Sequence, residues 1–387
     1  MIRVFTLAAS ACVLCSACTG EVAGDGSAWP VAKAALELSE VDWNAARTEL
    51  GSIAAIAEDG DRVIVFGEHG ATLIAGGAAA GNDPSVTAWQ SASRIAAADG
   101  SGSWPVGVAA TGEVHRLRAG TSLESVSDRY GLLGDKVERI AALATPYAAF
   151  ALQDELAIAD GTHVTRYAAS VASARCLAGD AHRVAFAGPD GEVHVLDVDS
   201  RQLTTLPLAG AQSCAFLNGQ LWVQTASALF VHVDDDMQAV FRGSRLSGLA
   251  VSAERLWFAH GEQLCTAEPD ANSIGCGSAK GFAGGSTLFG SASGDVWALR
   301  AGGATRYALP AQGDEAAWRT SAFSVYARVC SSCHAPGGSS GIDLSTYASW
   351  QGKRDKIVAR VLDAKNMPPD RALSEQDRAG IAAWAKP

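Results

Sequence analysis

The sequence predicts a multidomain chain of β plus α class: an N-terminal, all-β, seven-bladed propeller followed by a small all-α domain. Three observations predict it. A β-like unit recurs seven times between about residue 41 and residue 312. The texture turns helical from about residue 316 to the end at residue 387. A Cys-Ser-Ser-Cys-His pentapeptide closes the first of the helical stretches. The 387 residues are too many for one small core. With 48% hydrophobic residues, 18% charged residues and 41 glycines, the chain reads as packed and turn-rich rather than disordered.

Residues 1–18 read as a secretory signal. Met1-Ile2-Arg3 supplies the charged start, and Val4 to Leu14 is an apolar run too short to span a bilayer. Small residues before Cys18 suit a lipoprotein cleavage site, although Cys15 stands where leucine is usual. A lipid on Cys18 would hold the protein at a membrane surface. A plain signal cut a few residues later, or an uncut anchor, stays open. Residues 19–40 are expected to be a linker.

The propeller is assigned to residues 41–312. Each unit has an apolar leading segment, a turn, a second apolar strand, a turn often containing Gly, and a short alternating strand. Ile53-Ala-Ala-Ile precedes Arg62-Val-Ile-Val-Phe, Cys176-Leu-Ala-Gly precedes Arg183-Val-Ala-Phe-Ala, and Leu249-Ala-Val-Ser precedes Arg255-Leu-Trp-Phe-Ala. The leading anchors Ile53, Ile95, Ile140, Cys176, Cys214, Leu249 and Phe282 step by 42, 45, 36, 38, 35 and 33 residues. That period fits four short strands with their turns, one blade each, and a closed ring of blades hides the sheet edges. Six or eight blades, or a β-sandwich array, remain alternatives. The pattern resembles the WD40 and YVTN-like group in architecture only, since no Trp-Asp dipeptide ends the blades.

Four cysteines fall in this region. An even number in an exported chain suggests disulfides. Cys265 and Cys276 flank a turn-forming stretch, while Cys176 and Cys214 occupy the same place in adjacent repeats. The alternative is small buried side chains filling a core. His115, His194, Phe230 and Trp297 share one repeat position, and a position that accepts His, Phe or Trp is a packing site. Asp234-Asp235-Asp236 lacks the glycine and spaced oxygens of a calcium loop and reads as a hairpin tip.

The all-α domain is assigned to residues 316–387. Apolar residues at three- and four-residue steps, from Ala316-Ala317-Trp318 through Val329, run into Cys330-Ser-Ser-Cys333-His334. Two thiols at this spacing reach the two vinyl groups of a haem from one helical turn, and the adjacent imidazole then meets the iron. The expected cofactor is one covalent haem c on Cys330 and Cys333, with His334 as an axial ligand. A thioredoxin-like pair would need a βαβ context, and a zinc half-site would need further ligands downstream. Met367 is the expected second axial ligand by elimination; the alternative is a buried, gap-filling methionine beside an open or water-bound iron. His334 is the last histidine, and Met367 sits in Asn-Met-Pro-Pro, where two prolines stiffen an extended loop.

The segment from Ala316 to Pro387 resembles a class I cytochrome c domain. It has a first helix into Cys330-Ser-Ser-Cys-His, a middle helix around Asp355 to Leu362, the Met367-Pro-Pro loop, and a last helix that begins at Ser374. The resemblance implies outer-sphere single-electron transfer, and the packing of the Ile381 and Trp384 face against the first helix. Family members place a proline carbonyl against the second nitrogen of the axial histidine. Pro336 is too close in sequence to be assigned that role, and no other residue is assigned it.

Net charge is −11, yet from Trp318 onward ten Lys and Arg face six Asp and Glu, giving +4 and leaving −15 for the rest. This balance argues against nucleic acid as a partner. The expected role is a periplasmic or envelope-anchored electron carrier, more a carrier than an enzyme, whose propeller docks a redox protein partner. One alternative is a haem-containing periplasmic oxidoreductase with a substrate or second cofactor in the propeller. The other is a redox- or ligand-sensing binding protein.

Overall fold

The computed structural model describes residues 31–33, 50, 53–59, 62–75, 78–83, 89–96, 103–118, 122–143, 147–160, 162–168, 174–189, 191–252, 255–269, 272–279, 281–291, 294–300, 303–309, 314–334, 339–369 and 372–385. The expected signal, Cys18 and Pro336 lie outside the described residues, as does all of the expected linker except 31–33.

Seven sheets, antiparallel except for one added strand, follow one another along the described residues. In the first six blades the leading strands are Ile53–Asp59, Trp89–Ala96, Val137–Ala142, Cys176–Gly179, Ser213–Leu217 and Leu246–Ser252, each next to its neighbour around the ring. The second strands are almost wholly buried, as in Ala148–Leu152, Arg183–Ala187 and Arg255–His260. Flanked by strands and covered on both faces, they read as near-continuous apolar runs rather than alternating ones. The outer strand Leu203–Leu206 is exposed at three of its four positions, and its sequence, Leu-Thr-Thr-Leu, is correspondingly more polar.

Ring closure is visible in the packing. Seven apolar clusters each join one pair of adjacent blades. The pair formed by the last and first blades is joined by Trp297, Leu299 and Ala304 against Leu50, Ile53, Ile56 and Val65. Among the described residues each blade contributes to two of these clusters, so the propeller is held by burial between blades.

Two features depart from the sequence pattern. Phe282-Ala-Gly-Gly, expected to lead the seventh blade, forms turns in which Phe282 N–H donates to the Ala279 carbonyl at 3.0 Å and Ser286 N–H to the Ala283 carbonyl at 3.3 Å. Gly285 there takes a φ of +85°, which a strand does not allow. Among the described residues the seventh blade therefore has three strands, Thr287–Gly290, Val296–Arg300 and Gly303–Tyr307. Its first strand takes the inner place beside Leu246–Ser252. Gly290 permits this approach, since a Cβ there would lie 1.6 Å from the Val251 carbonyl oxygen. The second departure is that Val31–Lys33, inside the expected linker, forms a strand parallel to Ser273–Ser278 and so becomes the fifth strand of the sixth blade.

Two disulfides lie in the propeller. Cys176–Cys214 ties the leading strands of the fourth and fifth blades, and Cys265–Cys276 joins directly opposed residues of the sixth. Asp234 and Asp235 take φ values of 49° and 66° at the tip of the hairpin between Ala228–Val233 and Asp236–Arg242, the left-handed pair of a tight two-residue turn. His194 lies 5.1 Å from Phe186, ring centre to ring centre, and bonds Thr205; His115 lies 6.0 Å from Trp89 and bonds Glu113.

The remaining apolar cluster belongs to the C-terminal segment alone, from Ala317 to Ala385. At its centre Trp350 meets Trp384 at 5.2 Å and Trp318 at 6.3 Å between ring centres. The segment thus has a core of its own, as expected of a separate domain.

Candidate functional site

The first helical run, 314–334, carries the cysteine motif. It alternates α turns with π turns over Trp318–Ala322 and Tyr326–Cys330 and ends with Ser331–His334. Trp318, Ala322, Phe323, Val325 and Tyr326 are buried on its inner side. Cys330 packs partly against the same core, whereas Cys333 is exposed and lies one turn away. Neither thiol belongs to a disulfide.

His334 is held from outside the helix. Its Nδ1 lies 3.0 Å from the Ile342 carbonyl oxygen and 2.9 Å from Ser340 Oγ. A carbonyl oxygen only accepts, so Nδ1 carries a hydrogen in this network, and the neutral ring in this tautomer presents the Nε2 lone pair. The backbone reinforces the arrangement: Leu344 N–H donates to the His334 carbonyl at 2.8 Å and Ser340 N–H to the Cys333 carbonyl at 3.1 Å. Sequence reasoning missed this partner, because Gly-Gly-Ser-Ser-Gly carries no signal beyond a turn.

The chain then enters Tyr347–Gly352 through a capping box, in which the Thr346 hydroxyl accepts from Ser349 N–H and the Ser349 hydroxyl from Thr346 N–H. The middle helix follows as Arg354–Ile357 and Val358–Asp363. Ile357 is buried and Val358, Val361 and Leu362 are half-buried against the core. Arg354 reaches the last helix, donating to the Trp384 carbonyl at 2.9 Å and the Ala385 carbonyl at 3.2 Å with its guanidinium over the Trp384 ring. That caps a helix C-terminus with a cation, the favourable end for positive charge.

Met367 lies just beyond this helix, half-buried and followed by Pro368 and Pro369. The last helix, Glu375–Ala385, starts after Ser374, whose hydroxyl accepts from Asp377 N–H at 3.0 Å. Ile381 and Trp384 are buried on the face that meets the first helix. Gly380 allows the two to close, since a Cβ there would lie 3.2 Å from the Ser321 carbonyl oxygen. Arg328 and Asp377 bridge the same helices at 2.6 Å.

The donor set suits a covalently held haem: two thiols outside any disulfide within one turn, an imidazole presenting Nε2, and a thioether on a proline-stiffened loop. Half-buried Val329, Tyr347, Val358, Val361 and Leu362 pack against the same core as Cys330 and would give a macrocycle held there apolar contact. Among the described residues no group of three or more His, Cys, Asp or Glu side chains gathers into a metal site. No described helix is long and apolar enough to cross a membrane.

Residues 318–384 match the family model described as cytochrome c oxidase, cbb3-type, subunit III. No curated protein matches the chain. Among solved structures, a streptogramin B lyase aligns with a TM-score of 0.52 at 12% identity over 71% of this chain and 97% of its own. The extracellular domain of a hybrid two-component system from B. thetaiotaomicron aligns with a TM-score of 0.51 at 10% identity over 67% of this chain. The alignment spans 39% of that second protein. At such identities these two likenesses establish the fold alone.

Proposed function

From a chain that joins a seven-bladed β-propeller to a C-terminal cytochrome c domain, we propose an exported mono-haem c-type cytochrome that transfers single electrons, its propeller docking a redox protein partner in the cell envelope. The observation that carries the reading is the state of His334: with Nδ1–H donated to the Ile342 carbonyl, Nε2 is left for iron one residue after Cys333.

A haem c bound here supplies a one-electron ferric–ferrous couple. Cys330 and Cys333 would hold it by two thioethers, while His334 Nε2 and the Met367 sulfur would fill the axial positions. With His334 and Met367 both held as ligands, no site would stay open for substrate, which favours relay over catalysis. The half-buried apolar side chains that share the C-terminal core with Cys330 would keep water from the ring and disfavour added charge.

Export is supported by the two propeller disulfides, which persist in oxidising compartments. A lipid on Cys18 would place the protein on a membrane surface. Charge supports the docking of an envelope partner: the segment from Trp318 onward carries +4 against −15 for the rest, so the two parts present opposite signs to approaching proteins. The test is a reductive and oxidative titration of purified protein followed by its absorption spectrum. A reversible one-electron change of a single haem c is expected. A chain with no haem spectrum, or one with an added quinone or second haem signal, overturns the proposal.

A further inference from the structure

Ser340 stands at a crossing of four contacts. Its Oγ lies 2.7 Å from the Cys333 carbonyl oxygen, 3.1 Å from the Ile342 carbonyl oxygen, 3.1 Å from the Ile342 amide nitrogen and 2.9 Å from His334 Nδ1. A hydroxyl has one proton and two lone pairs. Both carbonyl oxygens can only accept, so the hydroxyl proton goes to one of them, and the Cys333 carbonyl is nearer. The two lone pairs then receive the Ile342 N–H and the Nδ1–H of His334. His334 Nδ1–H is therefore shared between two acceptors, a backbone carbonyl and a side-chain hydroxyl.

We propose that Ser340 is a positioning residue that sets the donor strength of His334 and so lowers the reduction potential of the bound haem. This rests on the functional reading given above. An acceptor on the outer nitrogen of a ligating imidazole raises the basicity of the inner one and fixes the ring plane. A more basic imidazole favours ferric over ferrous iron, and such hydrogen bonding is one of the protein's levers on potential. The carbonyl of Ile342 belongs to the backbone and cannot be varied by the side chain, whereas the Ser340 hydroxyl is a removable second acceptor. Its other bonds, to the Cys333 carbonyl and the Ile342 amide, clamp the loop so that the hydroxyl and the ring stay in register.

The test is the midpoint potential of the full-length haem-loaded protein, measured by spectroelectrochemical titration in wild type, Ser340→Ala, Ser340→Gly and Ser340→Thr. Ser340→Ala is expected to raise the potential with haem content unchanged, and Ser340→Thr, which keeps a hydroxyl, to return it toward wild type. Ser340→Gly, in a loop already rich in glycine, provides the same loss of hydroxyl should the alanine variant not accumulate, and is expected to rise likewise. A purely structural role would lower stability in the variants without moving the potential. A wild-type potential in the variants lacking the hydroxyl overturns the inference, as does a threonine variant shifted as far as alanine. If haem is present in these proteins, that failure belongs to Ser340 alone; a chain that never carries haem removes the functional reading and this inference with it.

Discussion

Arg319 of the first C-terminal helix donates through Nη1 to Asp295 Oδ1 at 2.7 Å, and Asp295 belongs to the turn before the middle strand of the seventh blade. This ion pair joins the helical domain to the propeller. Asp295 is 7% exposed at its side chain and also receives Arg306 at 2.6 Å, while Arg319 is braced by Glu315 at 2.8 Å. Gly294 makes room, since a Cβ there would lie 2.8 Å from the Arg319 guanidinium.

Removing Asp295 leaves two guanidinium groups facing each other in a poorly solvated junction. Asp295→Asn is expected to cost about 3 kcal/mol, read from urea unfolding of the full-length protein, and to speed proteolysis between the two domains. An unchanged unfolding midpoint contradicts the junction as described.

The two disulfides close chain segments of different length, 38 residues for Cys176–Cys214 and 11 for Cys265–Cys276. On the chain-entropy argument the first contributes about 4 kcal/mol and the second about 3 kcal/mol. Cys176→Ser with Cys214→Ser should therefore lower the unfolding midpoint more than the Cys265→Ser and Cys276→Ser pair. The reverse order contradicts this ranking.

His260 gives the propeller an acid sensitivity. Burial beside Phe241, whose ring centre is 5.3 Å away, holds the imidazole below its ordinary value of 6.5, and the charge of Arg245 adds to the effect. The unfolded chain binds this proton at a higher pH than the folded one. The stability gained by keeping the ring neutral is thus complete above about pH 6.5 and is lost as the pH falls toward the folded value. Between about pH 7.5 and about pH 5.5 the urea midpoint should fall, and His260→Gln should flatten that fall. An identical slope in the variant contradicts the assignment.

Much of the fold was legible because burial leaves a mark on sequence. Arg183-Val-Ala-Phe-Ala and Arg255-Leu-Trp-Phe-Ala read as strands since both their faces are covered. The seventh blade misled because apolar Phe282 suggested a strand, whereas the glycines after it favour turns. Val31–Lys33 left no trace, since three residues are too few for any period and their partner lies some 240 residues away. In the candidate site, the expectation for Cys330, Cys333 and His334 was legible in fixed local spacing. The acceptors at Ile342 and Ser340 were not, because a backbone carbonyl has no sequence identity and the loop that brings it back is set by turns.

Met367 has a direct test. Met367→Ala should keep the haem attached, abolish the weak sulfur-to-iron band of the oxidised protein and lower the reduction potential, because a thioether favours ferrous iron. Met237→Ala is the control: Met237 packs in the cluster between the fourth and fifth blades, away from the C-terminal core. A native spectrum and potential in the Met367 variant would contradict axial ligation by this residue.

Covalent attachment at Cys330 and Cys333 is tested most directly by intact-mass measurement after acid–acetone extraction of purified protein. The expected result is a single species heavier than the polypeptide by one haem, with the colour retained and the added mass mapped to the peptide from Cys330 to His334. A colourless polypeptide of unmodified mass, with the pigment in the acetone, would contradict a c-type haem at this site.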